Sequence, residues 1–205
     1  WSSHAIAAAR PAHAGGIPMI SDFVTNPKVT KIGDYIFRVC FTDVYQGSVL
    51  ARFARQDLKA ASAAIFTDIA SDYSIGLSEI FKKNFEQSGG KILLELEYKY
   101  KGWVRFDEHI KKAKGAGSDI IFLSGHDESG VIAKMLQEAG IPSVSIGGDG
   151  WETESFWNKG GRDLKQGYFC SHWSEHSDSD ISRSFVEKYQ HADNSGVGML
   201  IFFNK

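Results

Sequence analysis

Along the chain, short apolar runs rich in β-branched and aromatic residues alternate with longer stretches in which apolar residues recur every three or four positions. The first pattern predicts strands at 17–21, 35–40, 63–68, 91–99, 119–124, 143–147 and 167–172, most of them apolar on both faces, as buried parallel strands are. The second predicts the helices that fill the gaps. After Ser74, Leu77, Ile80, Phe81 and Phe85 form one stripe opposite Lys82, Lys83 and Glu86, and Gly89-Gly90 supplies the stop. From about Glu128, the residues Ile132, Met135, Leu136 and Ala139 repeat the device up to Gly140, ahead of Ile141-Pro142. Ile181, Phe185 and Tyr189 make a third stripe. All three stripes are expected in a core, and the alternation as a whole predicts an α/β fold with a doubly wound parallel sheet.

The 205 residues, 42% of them hydrophobic, suffice for one generous core or two small ones. A net charge of −2 with scattered Lys and Arg argues against a nucleic-acid partner. No apolar run approaches the roughly 20 residues that cross a bilayer as a helix. Cys40 and Cys170 lie in YIFRVCF and GYFCSHW and read as small buried thiols, a disulfide or reactive thiol being the alternative. The ends are atypical: the chain opens on Trp1, and HADNSGVGMLIFFNK finishes on an apolar segment with nothing after it to cover it. Truncation or unusual processing is expected there. IAAARPAHAGG has the small-residue pattern of a signal-peptidase site, but no basic segment and apolar run precede it, so no signal peptide is assigned.

In doubly wound proteins, ligands sit where strands run into helices, and five such junctions carry chemistry. At Trp1-Ser2-Ser3, the hydroxyls of Ser2 and Ser3 precede an Ala-rich helix, as a plain N-cap or as a cradle for a carboxylate at the positive end of the helix dipole. In SDFVTNP, Thr25 and Asn26 precede Pro27, which suits a first helical turn, and Thr25 offers a further hydroxyl. In IASDYSIG, Tyr73 stands just before a helix, either projecting into a cleft or packed in the core. LSGHDES brings His126 to the end of a strand, as a ligand contact or as a packed side chain. In SIGGDGWE, Gly147 and Gly148 permit close backbone approach, with Asp149 at the mouth and Trp151 two residues on; Asp149 is a partner for an ammonium group or a plain turn residue. Hydroxyls for a carboxylate, a carboxylate for an amine and rings for the remainder make together a receptor for a zwitterion such as a free amino acid.

These segments resemble the leucine/isoleucine/valine-type solute receptors of the type I periplasmic-binding-protein fold. SSHAIAAA, GIPMIS with TNPKVT, YIFRVCFTD followed by QG, the SDYSIGL segment and GGDGW carry the resemblance by their order and spacing from about Trp1 to Tyr189. It implies that Ser2 grips the ligand carboxylate and that Thr25 shares the carboxylate and amine contacts. Trp1, Phe23 and Val24 fall at neighbouring pocket-wall positions. Tyr73 matches an aromatic of the opposite lobe and Asp149 the acidic residue that receives the ammonium. His126 falls near an aromatic of the branched-chain receptors, a departure from a plain leucine site, as GWVRF is from the usual polar turn. The resemblance further implies two doubly wound lobes joined by a hinge: 1–43 as part of the N-terminal lobe, 44–172 as the C-terminal lobe and 173–205 as a return segment with an atypical tail. The first lobe is incomplete by this comparison, which predicts weakened or absent binding and an exposed apolar surface prone to association.

Such a receptor is extracytoplasmic, periplasmic or lipid-anchored, and hands an amino acid or related small carboxylate to an ABC-transporter membrane permease without a cofactor. A ligand-sensing domain of a regulator shares the architecture and stands as the alternative. A Rossmann-type enzyme is disfavoured because no G-x-G-x-x-G follows a strand, and no nucleophile elbow or P-loop occurs. His172, Glu175 and His176 have metal-like spacing in a loop-like setting but lack the H-E-x-x-H order, so no metal site is assigned.

Overall fold

A computed structural model describes residues 1–102, 104–174 and 177–192. Trp103 of the GWVRF departure, Glu175 and His176 of the metal-like group, and the tail from 193 onward lie outside the described residues. The chain forms two compact units, Trp1–Cys170 and Ser171–Lys205.

Every expected strand forms in the first unit, trimmed or shifted by at most three residues at an end: β1 (Met19–Ser21), β2 (Ile36–Arg38), β3 (Ser62–Asp68), β4 (Lys91–Tyr98), β5 (Ile120–Leu123), β6 (Val144–Gly147) and β7 (Gly167–Phe169). The trimmed ends become the loops that carry the polar junctions. β1 and β2 pair in a small parallel sheet, and the other five form a parallel sheet in the order β4-β3-β5-β6-β7. Parallel neighbours demand a crossover between strands, and within the five-stranded sheet α3 (Asp72–Gln87), α4 (Asp107–Ala116), α5 (Glu128–Glu138) and α6 (Glu154–Lys159) supply it, while α2 (Asp43–Gln56) leads from the small sheet into β3.

Alternate residues of the central strands face opposite layers. Ala64 and Phe66 of β3, with Ile121 and Leu123 of β5, pack with Ile110, Ile132 and Leu136 of α4 and α5. Ala63, Ile65 and Phe122 pack on the other face with Leu50 of α2 and with Leu77, Phe81 and Phe85 of α3. Leu77, Phe81 and Phe85 of the expected α3 stripe are therefore core, with Phe81 stacked on Phe122 at 4.0 Å between centroids, and Ile80 is half-buried. Both faces of β3 and β5 are covered, which is why those strands read as continuous apolar runs.

Two local expectations change. α3 begins at Asp72, two residues before Ser74, because Ser71 caps it by accepting the Ser74 N–H, so Tyr73 lies inside the first turn and not before it. α1 (Ser2–Ala14) has Trp1 at its cap position and no side-chain cap; the Trp1 carbonyl accepts the Ala5 N–H. Ser2 and Ser3 are thus first-turn residues and not caps. Pro27 enters a turn that leads to a short 3-10 helix, Val29–Lys31, and not an α-helix.

In the second unit, α7 (Asp180–Ala192) has its expected stripe turned outward, with Ile181 85% exposed and Phe185 46% exposed. Within this unit, Ser179 caps the helix start by accepting the Ser182 N–H, and Trp173 meets it, with its ring edge-on to Phe185 and its indole N–H donating to Ser182. Periodicity identified the helix, but a stripe becomes core only where another element covers it.

Candidate ligand-binding site

The strand-end junctions of the first unit converge. Tyr73, 3% exposed, points its phenol across the sheet end, donates to Asp149 Oδ1 at 2.8 Å and accepts the Gly150 N–H at 2.9 Å. α3 can hold it there because a knot of hydroxyls fixes the helix start. Ser74 and Ser78 bond to Ser124 at the end of β5, and Ser74 also accepts the Asp68 N–H at the end of β3. Burial and the neighbouring carboxylates push the Tyr73 phenol well above its ordinary pKa, so it stays a proton donor.

Asp149 follows β6 in a short 3-10 turn and is 9% exposed. Besides Tyr73, its Oδ1 accepts from Gln46 Nε2 at 2.9 Å, and its backbone N–H donates to Gln46 Oε1 at 3.2 Å. The glycines before it have a steric reason: a Cβ on Gly148 would lie 2.4 Å from the Tyr73 hydroxyl and 2.9 Å from Gln46 Oε1.

His126 lies between two rings, 4.7 Å from Tyr73 and 4.8 Å from Trp1 between centroids. Burial lowers its pKa to about 4 against the opposing pull of Asp149, so at neutral pH it is an uncharged aromatic surface. Its backbone N–H donates to the buried carboxylate of Glu128, which also accepts the Tyr98 hydroxyl. Trp1 is 64% exposed and forms, with Ser3, His4, Asp68, Ser71, Tyr100, His126 and Glu128, part of the wall of a cavity of about 170 Å³.

The remaining expected residues divide. Thr25 is 1% exposed, its carbonyl accepts the Asp43 N–H, and its hydroxyl is sealed from water without a hydrogen bond. Ser2 is buried on α1, whereas Ser3 reaches α3, accepting the Asp72 N–H and donating to Asp72 Oδ2. Ser3 thereby serves the helix start of α3 and not an open anion cradle. Val24 is buried in the small core beside β1 and β2, and Phe23 is 46% exposed. Trp151 is a core residue and not a site wall: it is 1% exposed and stacks on Phe156 of α6 (Glu154–Lys159) at 4.7 Å.

Two site residues escaped the sequence reading. Asp43 and Gln46, both wholly buried on the first turn of α2, join the cluster, with Gln46 Nε2 donating to Asp43 Oδ1 at 3.0 Å. The signal was present as a polar pair three residues apart on the buried face of a helix that also carries Leu50 and Ala54. Cys40 and Cys170 are free and half-buried, and burial raises both thiols, Cys170 to about 12. Among the described residues, no group of three or more His, Cys, Asp or Glu is placed to hold a metal, and no helix is long and apolar enough to cross a membrane.

Residues 1–196 match the family described as "Periplasmic binding protein". The chain belongs to the periplasmic binding protein family. A Leu/Ile/Val-binding protein homolog of Brucella melitensis is 28% identical over 160 residues, which cover 76% of this chain and 42% of that protein. An amino acid binding protein of Pseudomonas aeruginosa is 26% identical, over 92% of this chain and 51% of its own. Among solved structures, the leucine binding protein LivK of Thermotoga maritima matches this periplasmic binding protein with a TM-score of 0.87 and 28% identity, over 97% of this chain and 57% of that one. LivJ of Streptococcus pneumoniae, solved with isoleucine, gives 0.83 and 28%, over 94% and 55%. The fold is the type I periplasmic-binding-protein fold of the branched-chain amino acid receptors, and the chain spans about half the length of these relatives.

Proposed function

We propose that this periplasmic binding protein is part of an extracytoplasmic, non-enzymatic receptor that binds an amino acid or related small carboxylate between two lobes and delivers it to the membrane permease of an ABC transporter. The observation that carries the reading is the Asp149 carboxylate, buried at a strand end and oriented by Tyr73 and Gln46. A buried carboxylate fixed by neutral donors is a receptor for an ammonium group. Ser2 and Thr25 are the proposed hydroxyls for the ligand carboxylate, with Trp1, Phe23, Val24 and His126 as walls. Residues 1–43 are assigned to one lobe, 44–172 to the other and 173–205 to a return segment, so a ligand that touches both lobes favours the closed arrangement. Likeness to LivJ with isoleucine supports an amino acid as ligand. The proposed compartment is the periplasm, or the outer face of a membrane through a lipid anchor.

Calorimetry against the common L-amino acids and small carboxylates tests the reading. Binding by the native chain that Asp149→Ala and Thr25→Ala each weaken by about tenfold or more supports it, since each removes a charge-assisted hydrogen bond. Silence from a folded, full-length relative across the same panel overturns it.

A further inference from the structure

The first turn of α2 joins the two halves of the proposed zwitterion site. Gln46 uses both of its polar atoms on its neighbours: Nε2 donates to Asp149 Oδ1 and Asp43 Oδ1, and Oε1 accepts the Asp149 N–H. Residue 149 is thus gripped by backbone and side chain together across 103 positions of sequence. An amide is the only uncharged side chain group of this size that can donate towards two carboxylates while accepting an N–H.

Asp43, one turn earlier, faces the other half. Its N–H donates to the Thr25 carbonyl at 2.9 Å. The Thr25 hydroxyl lies beside the Asp43 carboxylate and favours its ionised form. Yet Thr25 Oγ1 and Asp43 Oδ2 are each sealed from water with no hydrogen bond of ordinary geometry. Two buried oxygens left unbonded, on residues already joined through their backbones, are costly.

We propose that Gln46 and Asp43 are positioning residues of the binding site, Gln46 fixing the ammonium-receiving carboxylate of Asp149 and Asp43 setting whether the Thr25 hydroxyl can donate to a ligand carboxylate. The inference rests on the reading of the site given above and deepens it. An ionised Asp43 only accepts, so it takes the one proton of the Thr25 hydroxyl and leaves that oxygen nothing to donate to a ligand. A protonated Asp43 donates to Thr25 Oγ1 instead, and the Thr25 proton turns to the ligand carboxylate. The charged and titratable groups around Asp43 are Arg38 of β2, whose guanidinium is bound to the carbonyls of Val24, Thr25 and Asn26, Asp149 after β6, and the Tyr73 phenol of α3. Burial first, and Asp149 after it, outweigh Thr25, Gln46 and Arg38 and carry Asp43 to about 6, within reach of neutral pH.

Two measurements test the proposal on the native chain. Carboxyl carbon NMR without ligand should place the Asp43 titration near 6, and Thr25→Val should move it higher, because the hydroxyl that favours the ionised form is gone. A midpoint unchanged by Thr25→Val overturns the proposal whether or not any ligand binds. Calorimetry with L-leucine and L-isoleucine should show affinity falling about tenfold per pH unit above the Asp43 midpoint. Asp43→Asn, whose amide donates to Thr25 at every pH, should keep the high affinity and abolish the slope. Uniform loss of affinity in Asp43→Asn with the slope retained overturns the proposal and leaves Asp43 a packing residue. If neither amino acid binds, the NMR arm alone decides the positioning role of Asp43, and the site reading is decided by the full-length relative. Gln46→Leu should weaken binding at all pH values while leaving the Thr25-dependent shift of Asp43 in place.

Discussion

In the sequence Tyr73 and His126 are each open to a packing explanation, and the structure gives each its neighbours. The Tyr73 hydroxyl both donates to Asp149 and accepts from the Gly150 N–H, so Tyr73→Phe leaves two buried partners short of a bond. Urea denaturation should show a loss of about 1–3 kcal/mol for that single oxygen. Asp43 gives a prediction with a definite sign. Its folded pKa, about 6, lies above the ordinary 3.8, so the stability it contributes is fully present below the ordinary value and is lost as pH rises through 6. Asp43→Asn should therefore gain on the native chain as pH rises, by about 1–3 kcal/mol between pH 4 and 7.5, read as the difference in thermal midpoints. His126, lowered to about 4, pulls the native chain the other way on acidification, and the difference between the two proteins removes it.

Among the elements, α3 does two jobs at once. Its apolar stripe anchors it against β3 and β5, and its first turn carries Tyr73 to the site. Phe81, wholly buried and stacked with both Phe85 and Phe122, is the centre of that anchor. Phe81→Ala should cost about 3–5 kcal/mol in denaturant titrations. The stripe of α3 was legible because sequence neighbours i, i+3 and i+4 face one way whatever lies opposite. The start of the helix was not, because Ser71 competes with Ser74 as cap and the hydroxyl of Ser74 is drawn instead to Asp68 and to Ser124, which lies 50 residues further along the chain. The stripe of α7 fails for the complementary reason: Ile181 has no element over it among the described residues of its unit.

Across the first unit, the small β1–β2 sheet leaves one apolar face open. Ile20 and its cross-strand partner Phe37 are 68% and 49% exposed, and Val39 beyond them is 75% exposed. Parallel sheets are ordinarily covered on both faces, and an open apolar face favours association. Ile20→Lys should lower the concentration-dependent self-association of this chain in analytical ultracentrifugation while leaving the five-stranded sheet folded.

Strand and helix positions, the parallel sheet and the strand-end location of Tyr73, His126 and Asp149 follow from periodicity and from the chemistry of loops, because both are local properties of the chain. The tertiary structure alone decided which of the polar residues meet. It withdrew Trp151 into the core, turned Ser3 to Asp72, and brought Asp43 and Gln46 from α2 to Asp149. No local pattern could assign those polar partners, since the contacts of Ser3 with Asp72 and of Gln46 with Asp149 join residues distant in the chain, the latter pair being 103 positions apart.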